Sequence, residues 1–171
     1  MMEIFDKKGR LIIPDSERLR KVAIEKGIIS PEKKIYLHQV FCPNGHNLIR
    51  PENPKFDNQP GIHLICEGET FWQSVYLSPF QGDRRKEFKT EFKTGEILQV
   101  FCPECRVAIP KFAPHDCQSE AMYLALFLDQ DANYNNTVCI CNAWGCYASF
   151  LRLAGEIFSE VRTLIPPQLI S

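Results

Sequence analysis

Gln39-Val40-Phe41-Cys42-Pro43 recurs sixty positions on as Gln99-Val100-Phe101-Cys102-Pro103. Each copy runs into a second residue of metal-binding type, His46 in CPNGH and Cys105 in CPEC. A β-rich lead-in, a cysteine and a proline that sets φ for a tight turn make each phrase a strand feeding one jaw of a clamp. Strand, clamp, loop and hairpin then follow in the same order twice, so the pattern predicts two pseudo-repeated halves, 35–82 and 96–146, within one metal-organised domain spanning 1–171.

Outward from the clamps, 62–66 and 71–77 form a predicted hairpin across Glu67-Gly68-Glu69-Thr70, and 122–128 with 137–141 form a second. Residues 51–61, with three prolines and a glycine, read as a turn-rich crossing. Toward the N-terminus, Asp15-Ser16 is an N-cap signal, Leu19, Val22 and Ala23 follow at helical spacing and Gly27 is a stop, which predicts a helix over 16–26. Toward the C-terminus, Leu151, Ala154, Phe158 and Val161 recur at three and four, predicting an amphipathic helix over 147–165 closed by Pro166-Pro167. The expected fold class is therefore α+β: β-hairpins organised around metal knuckles, with a helix at each end.

Zinc takes four nitrogen or sulfur ligands in a tetrahedron, and two ligands a few residues apart on a tight turn reach one ion. Cys42 with His46 and Cys102 with Cys105 meet that requirement. Cys141 and Cys146, in CNAWGC, flank a turn in which Gly145 is free to take an unusual backbone angle. His115 and Cys117 supply the fourth pair. Cys139 competes with Cys141, since the two share a strand face; Cys141 is preferred because it is nearer the turn. His63 and Cys66, three apart in a strand, point to opposite faces, so Cys66 is assigned to the core and His63 to the surface or to a hydrogen bond, as is His38.

The CPEC and CPNGH phrases resemble the knuckles of zinc-ribbon and rubredoxin-like domains. In a ribbon the two matching knuckles share an ion, which implies Cys42, His46, Cys102 and Cys105 at one site and His115, Cys117, Cys141 and Cys146 at the other. A crossed arrangement, joining the first pair to His115 and Cys117 and the second to Cys141 and Cys146, uses the same eight residues. The sulfur-rich set favours two Zn²⁺ per chain over magnesium or calcium, and the histidine disfavours rubredoxin-type iron. Four protein ligands leave no open position, so structural rather than catalytic sites are expected.

The function classes follow from what else the chain carries. Its 171 residues have a formal net charge of −1, without the basic excess of a protein that mainly tracks phosphates. The first fifteen residues hold charges of both signs and no apolar signal core, so a cytosolic, reducing setting is expected, in which eight cysteines serve metals rather than disulfides. The leading expectation is a non-enzymatic module that binds a protein partner. Nucleic-acid binding is the alternative, carried by Arg84, Arg85, Lys86, Lys89 and Lys93 interleaved with Phe88 and Phe92, on a short helix or exposed arm. Thiol redox chemistry or a metal-dependent enzyme comes third, because the sequence holds no nucleophile-base constellation and no HExxH motif.

Overall fold

The computed structural model describes residues 36–161, and among them there is no helix. Eleven strands form three sheets. The elements are β1 (Lys55–Phe56), β2 (Gln59–Pro60), β3 (Ile62–Glu67), β4 (Trp72–Leu77), β5 (Lys86–Glu87), β6 (Gln99–Phe101), β7 (Lys111–Pro114), β8 (Met122–Phe127), β9 (Thr137–Cys141), β10 (Ser149–Leu153) and β11 (Glu156–Val161). Their orders are β5-β4-β3-β6, β11-β10-β9-β8-β7 and the small ribbon β1-β2. Period-2 alternation sets the inner faces: Ile62, Leu64 and Cys66 of β3 and Val75 of β4 meet Leu124, Leu126, Val138 and Leu151 of the five-stranded sheet in one apolar cluster.

The α+β expectation is corrected by this architecture. Where the C-terminal helix was expected, β10 and β11 form an antiparallel hairpin, with Leu153 opposite Glu156 across the two-residue turn Ala154-Gly155. Both turn residues have positive φ, 50° and 80°, the backbone twist that suits a tight hairpin and that a right-handed helix cannot contain. The three-and-four spacing of Leu151, Ala154 and Phe158 was a coincidence of a different period. Leu151 and Leu153 are the buried pair of a strand, while Ala154 is exposed. The predicted helix over 16–26 and the end of the one over 147–165 lie outside the described residues.

In a helix, Gly155→Ala would stabilise by about 1 kcal/mol. At φ +80° it costs an L-residue about 1–2 kcal/mol. Gly155→Ala is therefore expected to lower the denaturation midpoint, and a raised midpoint in a urea titration would restore the helix.

The two halves retrace each other's hydrogen bonds. Leu37 N donates to Pro79 O at 2.9 Å, and Leu98 N to Asn142 O at 2.9 Å. Leu48 N reaches Val40 O and Ile109 N reaches Val100 O. His63 N donates to Leu48 O as Ala125 N donates to Pro110 O, and the registers Leu77↔Lys86 and Ile140↔Ser149 coincide. The phrases themselves are exchanged. Phe101 pairs with Ile65 in β3 of the first half, and Phe41 with Phe127 in β8 of the second. Each knuckle is thus carried by the other half's hairpin.

Candidate metal centres

The exchange of phrases puts the two knuckles side by side. Cys42, His46, Cys102 and Cys105 gather into one group and His115, Cys117, Cys141 and Cys146 into another, the donor atoms of each group lying within 4.8 Å of one another. All eight residues singled out from the sequence are in these two groups, in the arrangement where matching knuckles meet rather than the crossed one.

In the first group the backbone builds the site before any ion arrives. Gly45, at φ +84°, lets its N–H donate to Cys42 O at 2.9 Å, closing a turn that returns His46 beside Cys42. The amides of Asn44 and His46 donate to Cys42 Sγ at 3.3 and 3.4 Å, and that of Glu104 to Cys102 Sγ at 3.4 Å. Such donors stabilise thiolate over thiol. The second knuckle is one residue longer, closing with Arg106 N on Cys102 O at 3.0 Å and Arg106 at φ +61°. Cys42 Sγ lies 3.5 Å from His46 Nδ1 and 3.8 Å from Cys105 Sγ. The sulfur separation is far beyond the ~2.05 Å of a disulfide, and all eight cysteines are free.

Cys42 and Cys102 are buried, whereas His46 and Cys105 are half-buried. Burial pushes the Cys102 thiol up to about 12. At Cys105 the cost of burial is overcome by hydrogen bonds, first from the Val107 amide and then from Asn44, and the thiol is lowered to about 6. A divalent cation held by these sulfurs would supply the charge that lets them ionise together.

The second group is built by different elements. His115 follows β7, Cys117 lies in the exposed loop beyond it, Cys141 ends β9 and Cys146 closes the turn before β10. His115 Nδ1 is 3.3 Å from Cys141 Sγ and 3.7 Å from Cys146 Sγ, and Cys117 Sγ is 3.6 Å from Cys141 Sγ. The Ala143 amide reaches Cys141 Sγ at 3.5 Å. The Cys141 thiol is raised, chiefly by its hydrogen bond with Cys146 and then by burial.

The two histidines are oriented alike. Each turns Nδ1 toward the sulfurs and Nε2 toward a carboxylate, Glu104 Oε2 at 3.6 Å for His46 and Asp116 Oδ1 at 3.6 Å for His115. That is the geometry in which a carboxylate fixes the tautomer of a metal-bound imidazole, although 3.6 Å is an approach rather than a hydrogen bond. Glu104 is held in turn by an ion pair with Arg50. Neither Glu104 nor Arg50 was singled out from the sequence, which offers no spacing signal for them.

The remaining cysteines and histidines take other roles. Cys66 and Cys139 are buried, and burial raises their thiols to about 12 and about 11, so both stay protonated near neutral pH. Cys139 contacts Thr137 Oγ1 rather than a metal-type partner. His63 Nε2 meets Ser74 Oγ at 2.9 Å and the ring stacks on Tyr76. His38 packs against Tyr36.

The first half keeps the turn of the second group without its ligands. Ser78 and Asp83 have the spacing of Cys141 and Cys146, with Gly82 at φ +81° where the other turn has Gly145 at φ +90°. Phe80 N donates to Ser78 Oγ as Ala143 N donates to Cys141 Sγ, and Asp83 N reaches Phe80 O as Cys146 N reaches Ala143 O. Here the centre is an ion-pair cluster. Ser78 Oγ donates to Asp83 Oδ2 at 2.6 Å, and the Arg85 guanidinium bridges Asp83 and Asp57. Burial would raise the Asp83 pKa, but the Arg85 and Ser78 hydrogen bonds overcome it and hold the carboxyl at about 2. A guanidinium thus supplies the positive charge on which this turn closes.

The basic segment is neither a helix nor an arm. Lys86 and Glu87 form β5, Arg84 lies over the Tyr147 ring, and Arg85 belongs to the cluster just described. Lys86 turns inward over the Trp144 ring, and Lys89 and Lys93 are exposed. Phe92 is buried and stacks on Phe71 at 4.6 Å, while Phe88 meets Trp144 edge-on. Gln73 pins the loop, its Oε1 accepting from the amides of Lys89 and Thr90.

Comparison with protein-family models, with curated proteins and with solved structures finds no match to this chain. The two groups can hold two metal ions. Among the described residues no helix is long and apolar enough to cross a membrane.

Proposed function

We propose that the protein binds two zinc ions as structural sites, and that the body they hold together is an interaction module for a protein partner. The observation that carries this reading is the convergence of six thiols and two imidazoles into two closed sets of four. Three sulfurs and one imidazole nitrogen match zinc better than a hard cation. A Zn²⁺ ion with these four ligands has no open position for water or substrate.

Support for a protein partner comes from the outer face of the β5-β4-β3-β6 sheet. Trp72 is 59% exposed there, with the Arg106 guanidinium 5.4 Å from its ring centroid and the His63–Tyr76 stack four residues along β4. Exposed tryptophan and arginine together are characteristic of protein interfaces. Glu67 and Glu87 stand on the same face, which suits a protein better than a phosphate backbone. The nucleic-acid reading draws less support, since Arg85 is committed to two aspartates and Lys86 faces inward.

The test of the metal reading is elemental analysis by mass spectrometry on protein purified without added metal. Two zinc ions per chain are expected. One ion per chain, none, or iron in place of zinc overturns it.

A further inference from the structure

Between the two sheets lies a cavity of about 120 Å³. Its walls are apolar, with Leu64, Val75 and Leu77 on one side and Val138 and Ile140 on the other. Exposed Gly82 and Arg85 are part of its lining, so it reaches the surface. Of the polar groups in the lining, Ser78, Asp83, Arg85 and Asn142 are engaged by hydrogen bonds, and two donors, Lys86 and Gln81, are not.

Lys86 is the first. It stands beside Leu77 and Ile62 in a single cross-strand row on the inner face of the sheet, a charge in a line of core residues. Its Nζ lies 4.4 Å from the Trp144 ring centroid and 4.8 Å from that of Tyr147, and among the described residues it makes no ion pair or hydrogen bond. Asp83 is engaged by Ser78 and Arg85, and Glu91 accepts the Trp144 indole N–H at 2.7 Å. The fold does not need a cation here, because the matching position of the other half is Ser149. Gln81 is the second donor: its Nε2 is buried without a hydrogen-bond partner.

A buried donor without an acceptor is costly, and so is an ammonium held among apolar groups without a hydrogen-bonded anion. Two such donors on one apolar cavity describe a ligand: apolar in body, with an oxyanion at one end. We propose that the cavity binds a small carboxylate carrying a ring or short chain, with Lys86 and Gln81 donating to its oxygens. A space of this size holds roughly one aromatic ring. The carboxylate turns the aromatic-sandwiched ammonium into a charge-assisted hydrogen bond in a water-poor setting.

The experiment uses the full chain loaded with zinc and labelled at its methyl groups for NMR, titrated with benzoate, with hexanoate and with neutral benzyl alcohol. At least one acid is expected to give saturable shifts at Leu64, Val75, Val138 and Ile140, and to bind at least about tenfold tighter than the alcohol. The acid that binds distinguishes a ring from a chain. Lys86→Met keeps the apolar stem; it is expected to retain two zinc ions and the thermal transition while losing the preference for the acid. Gln81→Leu is expected to weaken the acid several-fold. Absence of these shifts with both acids, equal affinity for acid and alcohol, or acid binding unchanged in Lys86→Met overturns the proposal. Loss of zinc in Lys86→Met also overturns it, because Lys86 would then serve the charge balance of the Cys141–Cys146 centre.

Discussion

Stripping both ions with a strong chelator at neutral pH is expected to abolish cooperative unfolding of the chain, not merely to lower its midpoint. The magnitudes decide this. A structural zinc site contributes an apparent ~10–16 kcal/mol in small metal-dependent domains, whereas a whole domain of this size has a net stability of about 5–15 kcal/mol. The first centre joins a knuckle from each half, so its loss leaves buried Cys42 and Cys102 with no charge to balance them. Near-ultraviolet circular dichroism should collapse on chelation and return when zinc is restored. A chelated chain that keeps its signal and a sharp thermal transition would show that the two sheets hold without metal.

The second large effect separates ligands from bystanders among chemically identical residues. Cys102→Ser is expected to lose one zinc ion per chain, to keep the ion of the His115 group, and to destabilise by several kcal/mol, since it removes a buried thiolate ligand from the centre that links the halves. Cys66→Ala and Cys139→Ala remove thiols that are as deeply buried, yet each should retain two zinc ions and cost about 1–2 kcal/mol through lost packing. Zinc content and denaturation midpoint on the same three preparations check the contrast. If Cys139→Ala lost an ion and Cys141→Ala did not, the second centre would have to be redrawn.

What the chain announced plainly was local. The two hairpins, the knuckle turns and the strand-end position of Cys141 follow from period-2 alternation, a proline after a cysteine and a glycine at the turn, each acting over a few residues. The C-terminal hairpin was concealed because Leu151, Ala154 and Phe158 satisfy a helical period by chance. Gly155 inside that stretch, followed by Glu156 and Ile157, was the available signal for a turn.

The non-local features had no comparable signature. That Phe41 pairs with β8 and Phe101 with β3 is a matter of topology, and it is this exchange that brings His46 to Cys105. Ser78 and Asp83 were legible only as a match to Cys141 and Cys146, with Gly82 standing for Gly145 as the clue. Lys86 shows why composition misleads: in the sequence it belongs to a basic run, whereas its register opposite Leu77 turns it toward the interior. Phe92, placed among those charges, is buried against Phe71, while Phe88 meets Trp144 edge-on and stays partly exposed.

The central claim is that two zinc ions each sit among three sulfurs and one imidazole. X-ray absorption at the zinc edge of the purified protein measures that set directly. The expected spectrum averages three sulfurs at ~2.3 Å and one nitrogen at ~2.0–2.1 Å per zinc, with no water in the first shell. A shell dominated by oxygen or nitrogen, or one with four sulfurs, would contradict it.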